Sequence, residues 1–476
     1  MKLSQLLSAV GAECIRDTEI SALACDSREV TPGALFVALE GANCDGRTYI
    51  DRAVRQGAAA VVCRPPLPEG VNGGLVDDPR SALATLAAEF YGHPAQDLHL
   101  IAITGTKGKT TTAHMLREIF TAAGHKTGMI GTLGAFIGTD LLTETPNTTP
   151  EPITLQRILR QMADAGCSHV VMEVSSQAMK LHRVDGIRFD AAVFLNLSPD
   201  HIGGAEHADF DEYRDCKAAL FRQCALAVGS HDDLNWPYMA AQAPAGTPLV
   251  GFGFEKCADV RGEVIFLGSA PLSTQFSVDG TTFELPLPGR FNAANGLAAV
   301  AVSHALGICD AAARTGLARV SVPGRCQRFP ADAPYTVLID YAHNGESFRA
   351  LLGTLREYTP GRLLVLFGAG GDRPKMRRRD MARAAAEAAD YAVITEDNPR
   401  SERAEDICRD ISEEIGGKIP CEIVVDRRAA IERVLHLARA GDVVALLGKG
   451  HETYIEQNGM RRPFSEWRVL EELLAT

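Results

Sequence analysis

The sequence predicts an α/β fold organised as three domains, and three observations support this class. The 476 residues are enough for roughly three domains of ordinary size. Short apolar runs alternate with segments of helical periodicity, as in parallel sheets that are covered by helices on both faces. One apolar run leads through a glycine-rich turn into a helix that opens with lysine and threonine, at Thr104–Thr112.

Turn-forming residues mark the domain boundaries. The helical pattern Ser81–Tyr91 stops at Gly92-His93-Pro94, and a new strand begins at His99. A second alternating unit begins near Tyr335, after a hinge predicted at Pro323-Gly324-Arg325. We predict an N-terminal α/β domain over residues 1–97, a central P-loop ATPase-like parallel sheet over 98–324, and a C-terminal Rossmann-like doubly wound domain over 325–476.

The individual elements follow from the same patterns. Apolar runs bounded by turn residues predict strands, and periodic apolar positions predict helices. The elements predicted before residue 325 are strands Leu35–Leu39, Ala58–Val62, Val170–Val174 and Ala191–Leu195, an irregular strand Thr281–Pro288, and helices through Ala113–Phe120 and Asn292–Leu306. The strands predicted after it are Thr336–Asp340, Leu363–Phe367, Ala392–Thr395, Glu422–Val425 and Val443–Leu447.

Composition argues against several classes of function. The net charge is −12 and no long basic block offsets it, so nucleic acid is not expected as a partner. No apolar run is long enough to span a bilayer, so we expect no stable membrane insertion. The 12 cysteines are scattered without a C-x-x-C pair, which is typical of reduced thiols. We therefore expect a cytoplasmic protein. We also expect it to act as a monomer.

The turn at Thr104–Thr112 has the layout of a phosphate-binding loop. Its glycines let backbone N–H groups surround phosphate oxygens, Lys109 can reach the outer phosphates, and Thr110 can ligate magnesium. Only two residues separate Gly105 from Gly108, fewer than in a standard Walker A sequence. A glycine turn without a ligand is the alternative. The predicted ATP-binding residues here are Gly105, Thr106, Lys107, Gly108, Lys109, Thr110 and Thr111.

A carboxylate and an imidazole follow two predicted strands of the central domain. Glu173 ends one strand, and His201 comes shortly after the next. Ligands of open α/β sheets bind outside the carboxyl ends of the strands, so both side chains are expected near the phosphate loop. Together they can hold Mg²⁺ on the ATP phosphates. Taken singly, Glu173 could be a capping or salt-bridge residue and His201 a structural histidine.

Two further features of the central domain have less specific patterns. Asn292 and Asn295 are three positions apart at the start of a helix, which places both amides on one face. They can contact a nucleobase edge, although Asn292 could simply be an N-cap. Lys217 lies in a helical pattern, and spacing alone predicts a solvent-facing lysine.

Four polar or glycine-rich turns follow strands of the last predicted domain. They are Asp340–His343, Gly368–Arg373, Asp397–Arg400 and Gly448–Glu452. A surface turn explains any one of them but not all four, because the ends of successive parallel strands lie at one edge of the sheet. We predict that they build one cleft.

The order and spacing of these motifs resemble the Mur ligases, and within that family the branch that adds the third residue of the peptidoglycan stem peptide. The resemblance extends over essentially the whole chain. It implies one domain for the UDP end of the acceptor, one for ATP and one for the incoming amino acid. It also implies a mechanism in which ATP converts a carboxylate of the acceptor into an acyl phosphate, which the amine then attacks.

The resemblance implies roles for individual residues. Those implied to bind the UDP-N-acetylmuramoyl-dipeptide are Ser27, Asn43, Asn147, Thr148, Thr149, Ser175 and Arg183. Those implied to close over the nucleotide are Asn292, Asn295, Arg325, Asp340 and His343. The implied catalytic residues are Lys109, Glu173, His201 and Lys217, and the implied magnesium ligands are Thr110, Glu173, His201 and Lys217 as a carbamate.

Arg400 bears on which amino acid is added. Within the family, a turn reading Asp397-Asn398-Pro399-Arg400 is associated with meso-diaminopimelate, whose second carboxylate a guanidinium can bind bidentately. Lysine lacks that carboxylate and would leave the guanidinium unpaired. The residues implied to bind diaminopimelate are Arg373, Asp397, Asn398, Arg400, Gly448 and Glu452.

Other assignments stay open at this point. Departures such as Gln177, Leu181 and Asn344-Gly345-Glu346 place the chain in a divergent branch that resembles some lysine adders. Addition of L-lysine or another diamino acid is therefore the nearest alternative. A folylpolyglutamate-type or cyanophycin-type ligase and a catalytically silent nucleotide-binding scaffold are more distant ones. The expected partners are small molecules: the UDP-muramoyl-dipeptide, a diamino acid, and ATP with Mg²⁺.

Overall fold

The computed structural model describes residues 1–41, 45–200, 202–204, 206–269 and 272–474. These residues form two compact units. The first comprises Met1–Gly262 with Asn295–Gly316, and the second comprises Glu263–Ala294 with Leu317–Thr476. The domain boundaries predicted at residues 97 and 324 stay predictions.

The N-terminal part of the first unit is a four-stranded parallel sheet in the order β1-β2-β3-β4. Its elements are α1 (Leu3–Ser8), β1 (Ala22–Ala24), β2 (Ala34–Val37), α2 (Ile50–Arg55), β3 (Ala60–Cys63), β4 (Gly73–Leu75) and α3 (Pro79–Phe90). Every residue of β2 and β3 is buried, as the apolar runs predicted. Asp78 caps α3 by accepting from the N–H groups of Arg80 and Ser81, and Pro79 suits the first helical position.

A larger sheet follows, and its elements before residue 260 lie in the same unit. Its elements up to the last parallel strand are β5 (His99–Thr104), α4 (Lys109–Ala122), β6 (Thr127–Gly131), β7 (Gly134–Ile137), β8 (Asp140–Thr143), α5 (Pro152–Asp164), β9 (His169–Glu173), α6 (Ser176–Lys180), β10 (Ala191–Phe194), α7 (Phe210–Ala219), β11 (Ala227–Ser230), α8 (Trp236–Ala240), β12 (Leu249–Gly253) and β13 (Val260–Ser269). Strands β12-β11-β10-β5-β9-β6 run parallel, and β7 and β8 continue the sheet antiparallel. The phosphate loop leaves the central strand β5, and the segments after β9 and β10 leave its two neighbours.

A hairpin and two helices come next in the chain. They are β14 (Leu272–Val278), β15 (Thr281–Leu285), α9 (Arg290–Ala305) and α10 (Asp310–Leu317). β14 and β15 pair antiparallel within the second unit. The irregular strand predicted at Thr281–Pro288 is thus a regular strand that ends at Leu285, and the predicted helix is α9.

The rest of the second unit contains a six-stranded sheet in the order β16-β17-β21-β18-β19-β20. Its elements are β16 (Gln327–Phe329), β17 (Thr336–Asp340), α11 (Gly345–Tyr358), β18 (Leu363–Phe367), α12 (Lys375–Ala388), β19 (Tyr391–Ile394), α13 (Ala404–Ile415), β20 (Cys421–Ile423), α14 (Arg427–Leu437), β21 (Val443–Leu447), β22 (Tyr454–Gln457), β23 (Met460–Pro463) and α15 (Glu466–Leu474). All pairs are parallel except β16 with β17. The predicted α/β class with parallel sheets is confirmed.

One buried ion pair fixes the carboxyl edge of this sheet. Arg427 is fully buried, and its Nη2 lies 2.7 Å from Oε1 of Glu466 in α15. The same guanidinium donates to the carbonyl oxygens of Glu396 and Leu447, both at 2.8 Å. These carbonyls lie at the ends of β19 and β21, where the turns predicted to form the cleft begin. The buried guanidinium therefore fixes the starting points of two of those turns.

Candidate active site

The phosphate loop requires glycine at Gly108 for two separate reasons. Gly105 and Gly108 have φ values of +153° and +89°, which side chains disfavour. A Cβ atom added at Gly108 would lie 2.3 Å from Oδ1 of Asn295, in the same unit. Asn295 thus lies against the loop where helix α4 begins.

Two lysines donate to one carbonyl oxygen of the loop. Nζ of Lys109 lies 2.8 Å from the Gly105 oxygen and 3.2 Å from that of Thr106. Nζ of Lys217 lies 3.0 Å from the same Gly105 oxygen. Lys217 is only 2% exposed, so the solvent-facing position that spacing predicted for it is wrong. Helix α7 buries Lys217 against the loop. The short helical pattern in the sequence did not show which face of this helix is buried.

The environment of Lys217 favours an uncharged amine. Burial and the neighbouring charge of Lys109, opposed by Asp200, hold the pKa of the Lys217 ammonium well below its usual value. The Tyr213 ring lies 4.6 Å from Nζ, and its hydroxyl oxygen lies 3.1 Å from Oγ1 of Thr106. Lys217 is therefore fixed beside the loop rather than mobile at the surface.

The segment after β10 supports the other side of the loop. The N–H of Lys107 donates to Oδ1 of Asn196 at 2.9 Å, and its Nζ lies 3.0 Å from Oδ2 of Asp200. The Thr106 N–H donates to the Asn196 carbonyl at 3.0 Å. Asn196 was not predicted as a site residue, although its place directly after a strand was a usable signal.

Glu173 contacts the first turn of α4. Oγ1 of Thr110 lies 3.0 and 2.9 Å from its two carboxylate oxygens. The Thr132 N–H also donates to Glu173 at 2.9 Å. Glu173 is 2% exposed, and no ion pair to it occurs within the described ranges. A buried carboxylate beside a threonine hydroxyl suits a hard divalent cation. Sequence reasoning missed Thr132.

Part of the predicted acceptor site adjoins Glu173. Oγ1 of Thr149 donates to the Glu173 carbonyl at 2.9 Å, and Nη1 of Arg183 donates to the Thr149 carbonyl at 3.0 Å. Ser175 caps α6 by accepting from the Ala178 N–H at 3.1 Å. Thr148 is connected to this group of residues through Thr132, because the two hydroxyl oxygens are 3.1 Å apart.

Two other predicted residues have no hydrogen bond to Glu173 among the described residues, and two lie outside the described ranges. Ser27 is buried in the turn after β1 and Asn147 is exposed, and no hydrogen bond between described residues ties either of them to Glu173. His201 and Asn43 lie outside the described residues. In the described part of the chain, no group of three His, Cys, Asp or Glu residues is arranged to hold a metal.

Asn292 is not the N-cap of a helix, which was the alternative prediction for this residue. Helix α9 begins at Arg290, so Asn292 lies inside its first turn. The residue is 3% exposed, and Nδ2 donates to the Pro288 carbonyl at 2.7 Å. Its amide therefore anchors the turn that precedes the helix.

In the second unit, three predicted residues surround Tyr341. Asp340 accepts from the N–H groups of Cys326 and Ala342, both at 2.7 Å, and burial raises the pKa of its carboxyl. The Arg325 guanidinium lies 4.5 Å from the centre of the Tyr341 ring. Nδ1 of His343 lies 2.7 Å from the Tyr341 carbonyl oxygen.

Arg400 is held in an unusual backbone conformation. Its φ is +51°, its N–H donates to the Glu456 carbonyl at 3.0 Å, and its Nη1 donates to the Gly371 carbonyl at 2.7 Å. Two predicted turns and strand β22 therefore meet at this residue. Arg373 is exposed in the same glycine-rich turn. The β22–β23 hairpin was not predicted, and it positions the arginine backbone.

A buried lysine that sequence reasoning missed joins two of the turns. Lys449 is 0% exposed, and Nζ lies 2.9 Å from Oδ1 of Asn398 and 2.7 Å from Oε2 of Glu452. Its place between two glycines, in Gly448-Lys449-Gly450, was the available signal. Three of the four predicted turns, Gly368–Arg373, Asp397–Arg400 and Gly448–Glu452, are thus linked by hydrogen bonds through Arg400 and Lys449.

None of the helices in the described ranges combines the length and the apolar character needed to cross a membrane.

Comparisons with known proteins match this arrangement over most of the chain. Residues 19–91 match the Mur ligase family catalytic domain, 103–303 the Mur ligase middle domain, and 324–450 the glutamate ligase domain of Mur ligases. The chain belongs to the Mur ligase family.

Two curated relatives cover almost the whole chain. This chain is 40% identical to UDP-N-acetylmuramoyl-L-alanyl-D-glutamate--2,6-diaminopimelate ligase of Geobacillus thermodenitrificans. The match extends over 470 residues and covers 95% of each protein. The chain is 39% identical to the ligase of that name from Caldanaerobacter subterraneus subsp. tengcongensis, over 100% of this chain and 99% of that one.

Solved structures share the fold. The solved structure of a UDP-N-acetylmuramoyl-L-alanyl-D-glutamate--2,6-diaminopimelate ligase has a TM-score of 0.70 and 29% sequence identity to this chain. The match covers 96% of this chain and 95% of that one. A folylpolyglutamate synthase from Mycobacterium tuberculosis, 21% identical with a TM-score of 0.62, covers 77% of this chain and 92% of its own, and shares the fold.

Gly108→Ala should distort the phosphate loop and lower nucleotide-dependent phosphate release. The new Cβ adds a clash with Asn295 to the cost of the positive φ, so the loop must shift. We expect nucleotide-dependent phosphate release to fall about 100-fold, as for a loss of about 3 kcal/mol of binding and orientation. Gly124→Ala is a matched control, because Gly124 also has φ +89° and meets nothing within 4 Å. Equal effects of the two substitutions would show that backbone strain alone is responsible.

Proposed function

We propose that this chain is an ATP-dependent acid–amino-acid ligase that adds meso-diaminopimelate to UDP-N-acetylmuramoyl-L-alanyl-D-glutamate. The observation that carries the choice of amino acid is the placement of Arg400, whose guanidinium donates to the Gly371 carbonyl and whose backbone N–H donates to β22. The names of the relatives, at 37% to 40% identity over the chain, support the same assignment.

The physical reason lies in the second carboxylate of diaminopimelate. Nη1 of Arg400 is held by the Gly371 carbonyl, and we propose that the other two guanidinium nitrogens, Nε and Nη2, donate to a planar carboxylate. Arg373 is exposed in the adjoining turn and adds a second positive charge. Lysine offers no carboxylate at that end, so binding it would desolvate the guanidinium without a partner.

The chemistry requires an activated carboxylate, because a carboxylate ion is a poor acyl electrophile. Transfer of the γ-phosphoryl group of ATP to the acceptor carboxylate gives an acyl phosphate and ADP. Attack by the amine then forms the amide bond and releases phosphate. The part of this chain is to orient the phosphates on the loop N–H groups and to stabilise developing charge with Lys109.

Magnesium fits the side chains on the central sheet. Thr110 and Glu173 would hold it, with His201 and a carbamylated Lys217 as further ligands. Bound there, the ion would neutralise charge on the transferring phosphoryl group. Before it binds, the two oxygen ligands are already held together, since the Thr110 hydroxyl donates to the Glu173 carboxylate.

The surroundings of Lys217 support the proposed carbamylation. Only an uncharged amine attacks CO₂, and the pKa of this ammonium is held well below its usual value by burial. Formation of the N–C bond releases one proton and converts a potential cation into an anion. That anion offers oxygen ligands to a metal, which an amine in the same place does not.

The remaining residues complete the substrate sites. The residues that bind the muramoyl-dipeptide part are Asn147, Thr148, Thr149, Ser175 and Arg183, and Ser27 and Asn43 bind the uridine diphosphate end. Asn292, Asn295, Arg325, Asp340 and His343 contact the nucleotide. We further propose that the enzyme works as a cytoplasmic monomer on these small molecules.

The direct test is phosphate release from ATP with UDP-N-acetylmuramoyl-L-alanyl-D-glutamate and each candidate amino acid. We expect turnover with meso-diaminopimelate, and at least about 100-fold lower kcat/KM with L-lysine, because the unpaired guanidinium is costly. Turnover with lysine but not with diaminopimelate would overturn the proposed specificity. Turnover with glutamate on a folate acceptor would overturn the proposed class of acceptor.

Arg400→Ala should chiefly raise the KM for diaminopimelate. Loss of a charge-assisted contact of about 2 kcal/mol corresponds to a rise of about 30-fold. Steady-state kinetics with varied amino acid measures it. Arg403→Ala is the control, because that nearby arginine is 76% exposed. An unchanged KM in Arg400→Ala would mean that the guanidinium does not contact the substrate.

Lys217→Ala should lower kcat by about 100-fold or more, because a metal ligand and its charge are lost. Acetate or formate should restore part of the activity by filling the space of the carbamate. The wild-type protein should also lose activity in buffer depleted of CO₂ and regain it with bicarbonate. Lys256→Ala, at an exposed lysine, is the control. Full activity of Lys217→Ala would refute the carbamate.

A further inference from the structure

The ammonium of Lys449 is enclosed by acceptors in the second unit. Its side chain is 0% exposed, and Nζ lies 2.7 Å from Oε2 of Glu452, 2.9 Å from Oδ1 of Asn398 and 3.7 Å from Oδ1 of Asp397. The Tyr454 ring covers it, with its centre 5.3 Å from Nζ. Glu452 and Asn398 accept hydrogen bonds from two of the three N–H donors of the ammonium, and Asp397 adds an ion-pair contact at longer range.

Lys449 determines how the Asn398 amide is oriented. Oδ1 of Asn398 accepts from two groups that can only donate, Nζ of Lys449 and the N–H of Glu456, both at 2.9 Å. Nδ2 must therefore be the atom that donates to Oε2 of Glu452, at 2.9 Å. The amide, the carboxylate and strand β22 are fixed as one network.

The same network leaves the two oxygens of Glu452 unequal. Oε2 already accepts from Lys449 and Asn398. Oε1 accepts one long hydrogen bond, 3.4 Å, from the Tyr341 hydroxyl, and no second one occurs in the part of the chain that the structure describes. Because the Glu452 side chain keeps 16% exposure, Oε1 is the oxygen that an incoming ammonium group can reach.

The charge of Lys449 also changes the net charge of the site. Asp397 and Glu452 contribute two negative charges beside it, and Lys449 cancels one of them within 4 Å, in surroundings where screening is weak. Diaminopimelate is neutral overall at pH 7, whereas lysine has one net positive charge. A site that keeps both carboxylates without the lysine would attract lysine more strongly.

We propose that Lys449 is a positioning and specificity-determining residue, which presents one oxygen of Glu452 to the substrate ammonium and reduces the attraction of the site for lysine. The inference rests on the proposed function, because it assigns a role within the amino-acid site. It concerns a residue that does not itself touch the substrate.

The test compares kcat/KM for diaminopimelate and for L-lysine in Lys449→Met, which keeps the length of the side chain and removes its charge. We expect the preference for diaminopimelate to fall by about tenfold, mainly through a higher KM for diaminopimelate and a lower KM for lysine. Glu452→Gln changes the charge in the opposite direction and should not lower the preference, although both substrates bind less well. The double variant should return the preference towards the wild-type value.

Controls separate this role from support of the fold. Circular dichroism and thermal melting identify folded variants, and Lys449→Gln replaces Lys449→Met if the latter does not fold. Lys418→Met, at an exposed lysine of the same unit, should change neither kinetics nor melting. A Lys449 variant with lower stability and equal losses for both amino acids would overturn the inference. A wild-type protein that prefers lysine would instead overturn the proposed function.

Discussion

The arrangement of the phosphate loop depends on one carbonyl oxygen, that of Gly105, which accepts hydrogen bonds from Lys109 and Lys217. Burial and the neighbouring charge of Lys109 hold the pKa of the Lys217 ammonium well below its usual value. This distinguishes two residues of the same type. Lys109, at the start of α4, is partly exposed, whereas Lys217 is buried.

In the second unit, a buried lysine lies among carboxylates and an amide instead of beside another lysine. Here one buried cation, Lys449, lies among Asp397, Asn398 and Glu452 and keeps their geometry. Arg400 stays half-exposed, with only one nitrogen used by the Gly371 carbonyl. A buried ion among several acceptors and a half-exposed one with a single side-chain hydrogen bond are suited to different tasks: the first holds the site together, and the second suits binding of a substrate.

Much of the architecture was predictable because parallel strands that are buried on both faces are short apolar runs. Strands β17, β18 and β21 have the predicted bounds, and β5 leads into the predicted loop. The β22–β23 hairpin escaped prediction, because its strands are short and largely polar and β23 is exposed throughout. No apolar pattern marks such an element, although Arg400 depends on it.

The sequence by itself determined the class of fold and the order of the motifs, since periodicity, glycine spacing and turn residues act locally along the chain. It also placed Glu173 and Arg400 at strand ends, where ligands bind. Only the tertiary structure decided that Lys217 points inward to Gly105, that Thr132 supports Glu173, and that Lys449 is a buried ion. Burial and the identity of a charged partner depend on segments far apart in the chain, and no local pattern specifies them.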